Sequence, residues 1–345
     1  MEIVAADIGG THARFAIAAI GNGRVMTLGD CVTLRTAEHA SFAAAWRAFG
    51  AGCARPLPRT AGIAVACPIV GDVLKLTNNP WIIRPATIAH DLGLDTFVLV
   101  NDFAAVGHAV AQIGDTALGD AALGHICGPD RPLPETGVIS IVGPGTGLGV
   151  AQLLRTADGY HVVPTEGGHV DFAPLDAVED AILARLRGRY CRVSVERLVS
   201  GPGLANIHAA LAAIEGRTAL AGVEGRAALP ADDATANRAL WAAALDGTDS
   251  LAVAAVDRLC RILGAFTGDI ALAHGASGVV IGGGLGVRLA AHLPKSGFGQ
   301  RFVAKGRFEA MMADIPVKLI THPQPGLYGA AAAFAAAHPG RGGFA

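Results

Sequence analysis

The sequence predicts an α/β protein made of two similar subdomains. Three observations carry this. Strand-like and helix-like segments alternate through the first hundred residues, with glycine and proline between them. A strand, a glycine-rich turn and a second strand occur at the N-terminus and again about 135 residues later, an internal repeat that suggests two subdomains facing each other across a cleft. Beyond the second copy the pattern becomes mostly helical.

The alternating region predicts strands near 3–7, 14–20, 26–34, 62–66 and 97–100, with helices near 39–49 and 85–91. A further helix follows Asn101-Asp102 and carries Phe103, Val106, Val110 and Ile113 on one face. The second copy begins with the strand Gly137 to Val142, passes through Gly143-Pro144-Gly145-Thr146-Gly147-Leu148-Gly149 and returns as Val150 to Leu154. Helices are then expected near 176–189, 194–200, 203–213, 233–246 and 250–274, and 215–235 reads as a mobile loop. Val279-Val280-Ile281 is a short buried strand before Gly282-Gly283-Gly284-Leu285-Gly286. Pro325 to Ala337 is an alanine-rich helix with proline near its start.

Composition bounds the function. The chain has 345 residues, 52% of them hydrophobic, so it can bury cores for about two domains. Only 16% are charged and the net charge is −2, which gives no electrostatic reason for a nucleic acid or an anionic membrane as partner. The start, Met1-Glu2-Ile3-Val4-Ala5-Ala6-Asp7, lacks a basic n-region, and apolar runs stop short of the ~20 residues of a membrane span. Six scattered cysteines, none at Cys-x-x-Cys spacing, predict neither zinc nor a disulfide framework. A cytoplasmic protein is expected.

Chemistry concentrates in a few places. At Asp7-Ile8-Gly9-Gly10-Thr11 a strand runs into an acid and two glycines that let backbone N–H groups approach a phosphate, with Asp7 placed to orient a hydrated metal ion. This turn joins two strands, unlike the phosphate and dinucleotide loops that open a helix. With the turns at 143–149 and 282–286 it suggests a nucleotide site assembled from separated pieces, two around phosphates and one near base or ribose. Asn101-Asp102 stands where a strand ends and a helix begins, as a helix cap or as a ligand-binding pair. Glu166-Gly167-Gly168-His169 brings a carboxylate and an imidazole together, a pairing that suits vicinal hydroxyls or a polar turn. Glu196 follows the N-cap candidate Ser194 and is either a first-turn acid or a ligand.

Taken in order, these motifs resemble the bacterial glucokinase family of the sugar kinase/actin/heat-shock ATPase superfamily. Ala66-Cys67-Pro68-Ile69-Val70-Gly71-Asp72, Thr77-Asn78-Asn79-Pro80-Trp81, Glu166 to Pro174, Glu196 to Gly203 and Pro325-Gly326-Leu327-Tyr328-Gly329 add to the likeness. The resemblance implies a two-domain actin-like ATPase (ribonuclease H-like) fold with a cleft between a small α/β domain, 1–112 plus 323–345, and a larger α+β domain, 113–322. It implies transfer of the γ-phosphoryl group of ATP, with Mg²⁺, to the 6-hydroxyl of D-glucose, and it suggests a homodimer. Asp102 would be the general base, and Asn101, Asp102, Glu166, His169 and Glu196 would hold the sugar. Ala6, Asp7, Ile8, Gly9, Gly10, Thr11, Gly143, Gly145, Thr146 and Gly147 would contact phosphates, Gly283 and Gly284 would lie near the adenosine, and Asp7 would reach the metal through water. His12 and Pro144 depart from the family pattern beside phosphate turns and bear on nucleotide preference. The zinc-bearing relatives carry a cysteine cluster after the Glu-x-Gly-His element; only Cys191 and Cys260 follow His169 here. Kinases for other hexoses or N-acetylhexosamines, and a non-catalytic sugar sensor, are the alternatives.

Overall fold

The structure, a computed structural model, describes residues 1–76, 79–113, 122–216 and 234–339. Thr77 and Asn78 and most of the expected loop at 215–235 lie outside the described residues, as do 340–345. The chain divides into two compact units, Met1–Leu123 with Tyr160–Pro164 and Thr321–Ala345, and Gly124–Gly159 with Thr165–Ile320.

The first unit is organised by β1 (Glu2–Ile8), β2 (His12–Gly21), β3 (Arg24–Leu28), β4 (Val32–Arg35), β5 (Thr60–Val65), the small hairpin β6 (Leu74–Lys75) and β7 (Ile82–Ile83), and β8 (Thr96–Asn101). The main sheet runs β3-β2-β1-β5-β8, with β4 also on β2. β1 and β2 are antiparallel, whereas β1, β5 and β8 are parallel. Strands buried on both faces are apolar without alternation, which is how Ile3-Val4-Ala5-Ala6 reads. The expected strand 26–34 is two strands, broken at 29–31, although Gly29 still donates its N–H to Ile17 O at 2.9 Å. Phe15 is fully buried and stacks on Phe49 at 5.1 Å, with Trp46 edge-on at 6.1 Å. Burying one such ring contributes about 1.5–3 kcal/mol.

Two helices complete this unit, Asp102–Ile113 and Pro325–Ala337. Their close approach depends on missing side chains. A Cβ at Gly329 would stand 1.7 Å from Ala105 O, and one at Gly62 would stand 2.0 Å from Ala330 O. The expected helix near 85–91 is a 3-10 turn, Pro85–Thr87, running into the short helix Ile88–Leu92, which Gly93 ends at φ 67°.

The second unit contains β9 (Leu123–Cys127), β10 (Gly137–Pro144) and β11 (Leu148–Thr156); β12 (Gly159–Thr165) lends its middle to the first unit, and β13 (Gly278–Ile281) and β14 (Val317–Ile320) follow. The order is β12-β11-β10-β13-β14-β9. β10 and β11 are antiparallel, and β10, β13 and β14 are parallel. The sequence repeat is thus a repeat of topology. Each sheet is an antiparallel hairpin whose first strand continues into parallel neighbours, the ribonuclease H-like arrangement. Against this sheet packs the helix Ser250–His274, capped by Asp249 Oδ1 on Ala252 N at 2.7 Å and ended by Gly275 at φ 63°. A buried ion cluster ties helices together. Arg258 reaches Asp176 at 2.5 Å and Glu179 at 2.9 Å, Arg301 also meets Asp176, and Glu179 is 1% exposed.

Two further expected elements change. The helix near 194–200 is only a 3-10 turn, Val195–Arg197, and Ser194 makes no side-chain cap. Val195 N bonds Val170 O at 3.0 Å and Ser194 bridges Asp171, so neighbouring backbone holds the segment and Gly201-Pro202-Gly203 ends it. The glycines at 282–286 do not form a free turn but open the short helix Gly283–Arg288. Among the described residues no helix is long and apolar enough to cross a membrane.

Candidate active site

In the first unit, the loops following the parallel strands β1, β5 and β8 gather the predicted residues, since Ile8 aligns with Val65 and Val65 with Asn101. This is the strand end at which open α/β sheets bind ligands. Gly9 N donates to His12 O at 2.9 Å and closes the hairpin turn. Thr36, 5% exposed, pins the turn from outside: its hydroxyl donates to Gly10 O at 2.8 Å and its N–H to Thr11 O at 3.0 Å. Nothing in the sequence marked Thr36, which lies 26 residues from Gly10.

Asp7 is the last residue but one of β1, and burial pushes its carboxyl above the usual range while Arg14, at 3.4 Å, pulls the other way. Gly326 makes room for it, since a Cβ there would stand 2.9 Å from Asp7 Oδ2. The only sequence signal for Gly326 was its place in Pro325-Gly326-Leu327-Tyr328-Gly329. Asn101 is the helix cap: its Oδ1 accepts from Phe103 N at 2.8 Å and Ala104 N at 3.2 Å, and its Nδ2 donates to Cys67 O at 3.2 Å. Asp102 is therefore released from capping. Its Oδ1 takes one N–H, from Phe103 at 2.8 Å. Burial, and next the charge of Asp7, push its pKa up to about 6, against the hydrogen bonds from Phe103 and Asn101. A carboxylate so tuned is ionised at pH 7 yet basic enough to take a proton from a hydroxyl.

Downstream in the same helix, burial holds His108 down at about 4, so its ring is neutral at pH 7. Its Nδ1 lies 3.2 Å from the Tyr160 hydroxyl, and Val162 packs where a Cβ on Gly107 would come within 2.5 Å. These contacts fix the helix that starts at Asp102.

In the second unit, Glu166, His169 and Glu196 come together. Glu166 Oε2 lies 4.0 Å from His169 Nε2, and Glu196 Oε1 lies 3.9 Å from His169 Nδ1. Glu166 and His169 are largely exposed, while the Glu196 side chain is 28% exposed. His169 sits in the 3-10 turn Gly167–His169, and its carbonyl accepts from Arg192 Nη2 at 2.7 Å. The glycine turn 143–149 caps β10: Gly145 N donates to Gly147 O, and Gly201 N to Gly145 O, both at 2.8 Å. Gly283, at φ 73°, fits against this turn, because a Cβ there would stand 2.3 Å from Pro144 O. Adjacent parallel strands thus bring the second and third glycine segments together, with Val142 beside Ile281. Sequence spacing suggested this pairing but not that Glu196 touches the turn: its Oε2 accepts from Leu148 N at 2.9 Å.

Chemically, the second unit offers carboxylates and an imidazole for several hydroxyls beside a glycine turn with open space at Gly145. The first offers a basic carboxylate and a buried acid. A family model described as Glucokinase matches residues 4–337. A glucokinase of Zymomonas mobilis is 62% identical over 335 residues, covering 97% of this chain and 98% of its own length. A glucokinase of Cupriavidus metallidurans is 36% identical, covering 96% and 93%. The crystal structure of a glucokinase from an Antarctic psychrotroph matches with a TM-score of 0.80 at 32% identity, covering 96% of this chain and 98% of that one.

Proposed function

This chain belongs to the glucokinase family, and we propose that it transfers the γ-phosphoryl group of ATP to the 6-hydroxyl of D-glucose, giving glucose 6-phosphate. The observation that carries the reading is the set Glu166, His169 and Glu196 built onto the glycine turn at 143–149. Such a set recognises a polyhydroxyl substrate, and the turn beside it has the geometry to hold phosphates.

Phosphoryl transfer asks the protein mainly for positioning and charge neutralisation. Asn101, Glu166, His169 and Glu196 hold the sugar hydroxyls, and Asp102 accepts the 6-hydroxyl proton as the bond to phosphorus forms. The glycine turns at 9–11 and 143–147 hold the phosphates, their missing side chains letting a ligand approach the backbone, and Gly283 and Gly284 lie by the adenosine. Mg²⁺ bound with the nucleotide would supply neutralisation of the phosphate charge. Asp7 fits such an ion: it is a buried carboxylate with room kept beside it by Gly326 and only a 3.4 Å contact to Arg14 against its charge. It would orient water around the metal. We take 1–112 with 323–345 as the small domain and 113–322 as the large one, and family membership supports a homodimer in the cytoplasm.

A coupled assay of ADP release tests the reading, with ATP and Mg²⁺ against glucose, fructose, mannose and N-acetylmannosamine. Glucose should give the highest kcat/KM; a preference for another sugar would replace the substrate, and no turnover with any would overturn the enzyme.

A further inference from the structure

Leu148, in the nucleotide turn, is gripped by both sugar-binding elements. Glu196 Oε2 accepts from the Leu148 amide at 2.9 Å. Gly168, between Glu166 and His169, lies so close to Leu148 that a Cβ on it would stand 1.9 Å from Leu148 O. Leu148 in turn pairs with Pro144 across the turn, so its position sets the turn's register.

The glycines of the turn divide in an informative way. Neither Gly145 nor Gly147 has positive φ, so the backbone alone demands glycine at neither. A Cβ on Gly145 would meet nothing within 4 Å, which leaves that side open for a ligand. A Cβ on Gly147 would stand 2.5 Å from Glu196 Oε2. A side chain at 147 would therefore push the Glu196 carboxylate away from the Leu148 amide. A second tether runs in parallel: Ser200 Oγ donates to Glu196 O at 2.7 Å, and the next residue, Gly201, donates its N–H to Gly145 O at 2.8 Å.

We propose that Glu196, besides holding the sugar, is the positioning residue of the nucleotide turn, so that sugar and nucleotide bind with positive coupling through Leu148. This rests on the kinase reading above. One carboxylate oxygen is committed to the Leu148 amide, which fixes the carboxylate plane and leaves Oε1 to accept a sugar hydroxyl. A sugar that immobilises Oε1 immobilises the amide bond at Oε2, and with it the turn. The nucleotide then meets a turn already in register and loses less freedom on binding. By linkage the nucleotide must tighten the sugar by the same factor.

The test is calorimetric titration of the full chain with AMPPNP and Mg²⁺, with and without saturating glucose. Wild type should bind AMPPNP about fivefold or more tightly with glucose. Gly147→Ala should weaken both ligands and cut that enhancement to below about twofold. Gly145→Ala should weaken the nucleotide alone and keep the enhancement. If Gly147→Ala fails to fold by circular dichroism, the glutamates decide. Glu196→Gln, which loses the charge on the Leu148 bond, should lose the enhancement, whereas Glu166→Gln should weaken glucose and keep it. Enhancement absent from wild type, or kept in Glu196→Gln, overturns the coupling while leaving the kinase intact. A wild-type chain that binds neither glucose nor AMPPNP overturns both.

Discussion

Replacing Asp102 by Asn keeps the shape of the side chain and an oxygen for the Phe103 amide, but removes a negative charge that the fold holds at a cost. The carboxyl titrates at about 6 in the folded chain against 3.8 for the free group, a shift due first to burial and then to Asp7. The neutral form is thus favoured by folding. Below pH 3.8 the group is protonated in both states and costs nothing. As pH rises the unfolded chain ionises first, and the penalty grows until the folded group has also ionised, above about 6. The linkage relation gives at most about 0.5 kcal/mol at pH 4, about 1.5 at pH 5 and about 3 at pH 7. Asp102→Asn should therefore be more stable than wild type at pH 7, with the gain shrinking towards pH 4, as read from urea unfolding across that range. The same change should lower kcat by 10²–10⁴, about 3–5 kcal/mol of barrier, while glucose still binds within about tenfold of wild type. A variant no more stable at pH 7 than at pH 4 relative to wild type would refute the buried charge. A folded variant with more than about a tenth of wild-type kcat would refute the general base.

In wild type, kcat/KM should fall on the acid side with a midpoint near the Asp102 value of about 6. In Asp7→Asn that midpoint should move to lower pH, because a repelling charge is gone, and an unmoved limb in the variant's pH profile would contradict the pairing. Glu166→Gln and Glu196→Gln should raise KM for glucose more than they lower kcat, since charge-assisted hydrogen bonds to hydroxyls contribute about 1.5–3 kcal/mol each and already act in the ground state. Wild-type KM in either variant would return that glutamate to a structural role. Arg258→Ala strands Glu179, which is 1% exposed, and should cost about 3 kcal/mol of stability in thermal or urea unfolding, with a loss below 1 kcal/mol arguing that Arg301 alone suffices.

The parts legible in the sequence were those decided by local pattern. The helix Ser250–His274 matches the stretch predicted at 250–274, where 3.6-residue periodicity, an acidic cap and a terminal glycine agree. β1, β5, β8, β10 and β13 announced themselves as apolar runs, closed by glycine, proline or polar residues shortly after their ends. What was hidden depends on partners distant in sequence. Ser194 looks like a helix cap, yet its segment is held by Val170 and Asp171. Asn101 and Asp102 look interchangeable as caps, and only the structure shows Asn101 taking the amides and Asp102 left to titrate. Gly147 and Gly168 look like turn residues and Gly326 like part of a helix, but a side chain at each would meet a residue distant in sequence: Glu196, Leu148 and Asp7.

The most direct measurement is of the product itself. ¹³C-labelled glucose, ATP and Mg²⁺ are incubated with wild type and with Asp102→Asn, and phosphorus coupling to each sugar carbon is followed by NMR. Phosphorus coupling should appear at carbon 6, accumulate with ADP in wild type and be slowed at least about a hundredfold in the variant. Phosphate on another carbon, ADP without phosphorylated sugar, or equal rates in the two proteins would contradict the proposed reaction.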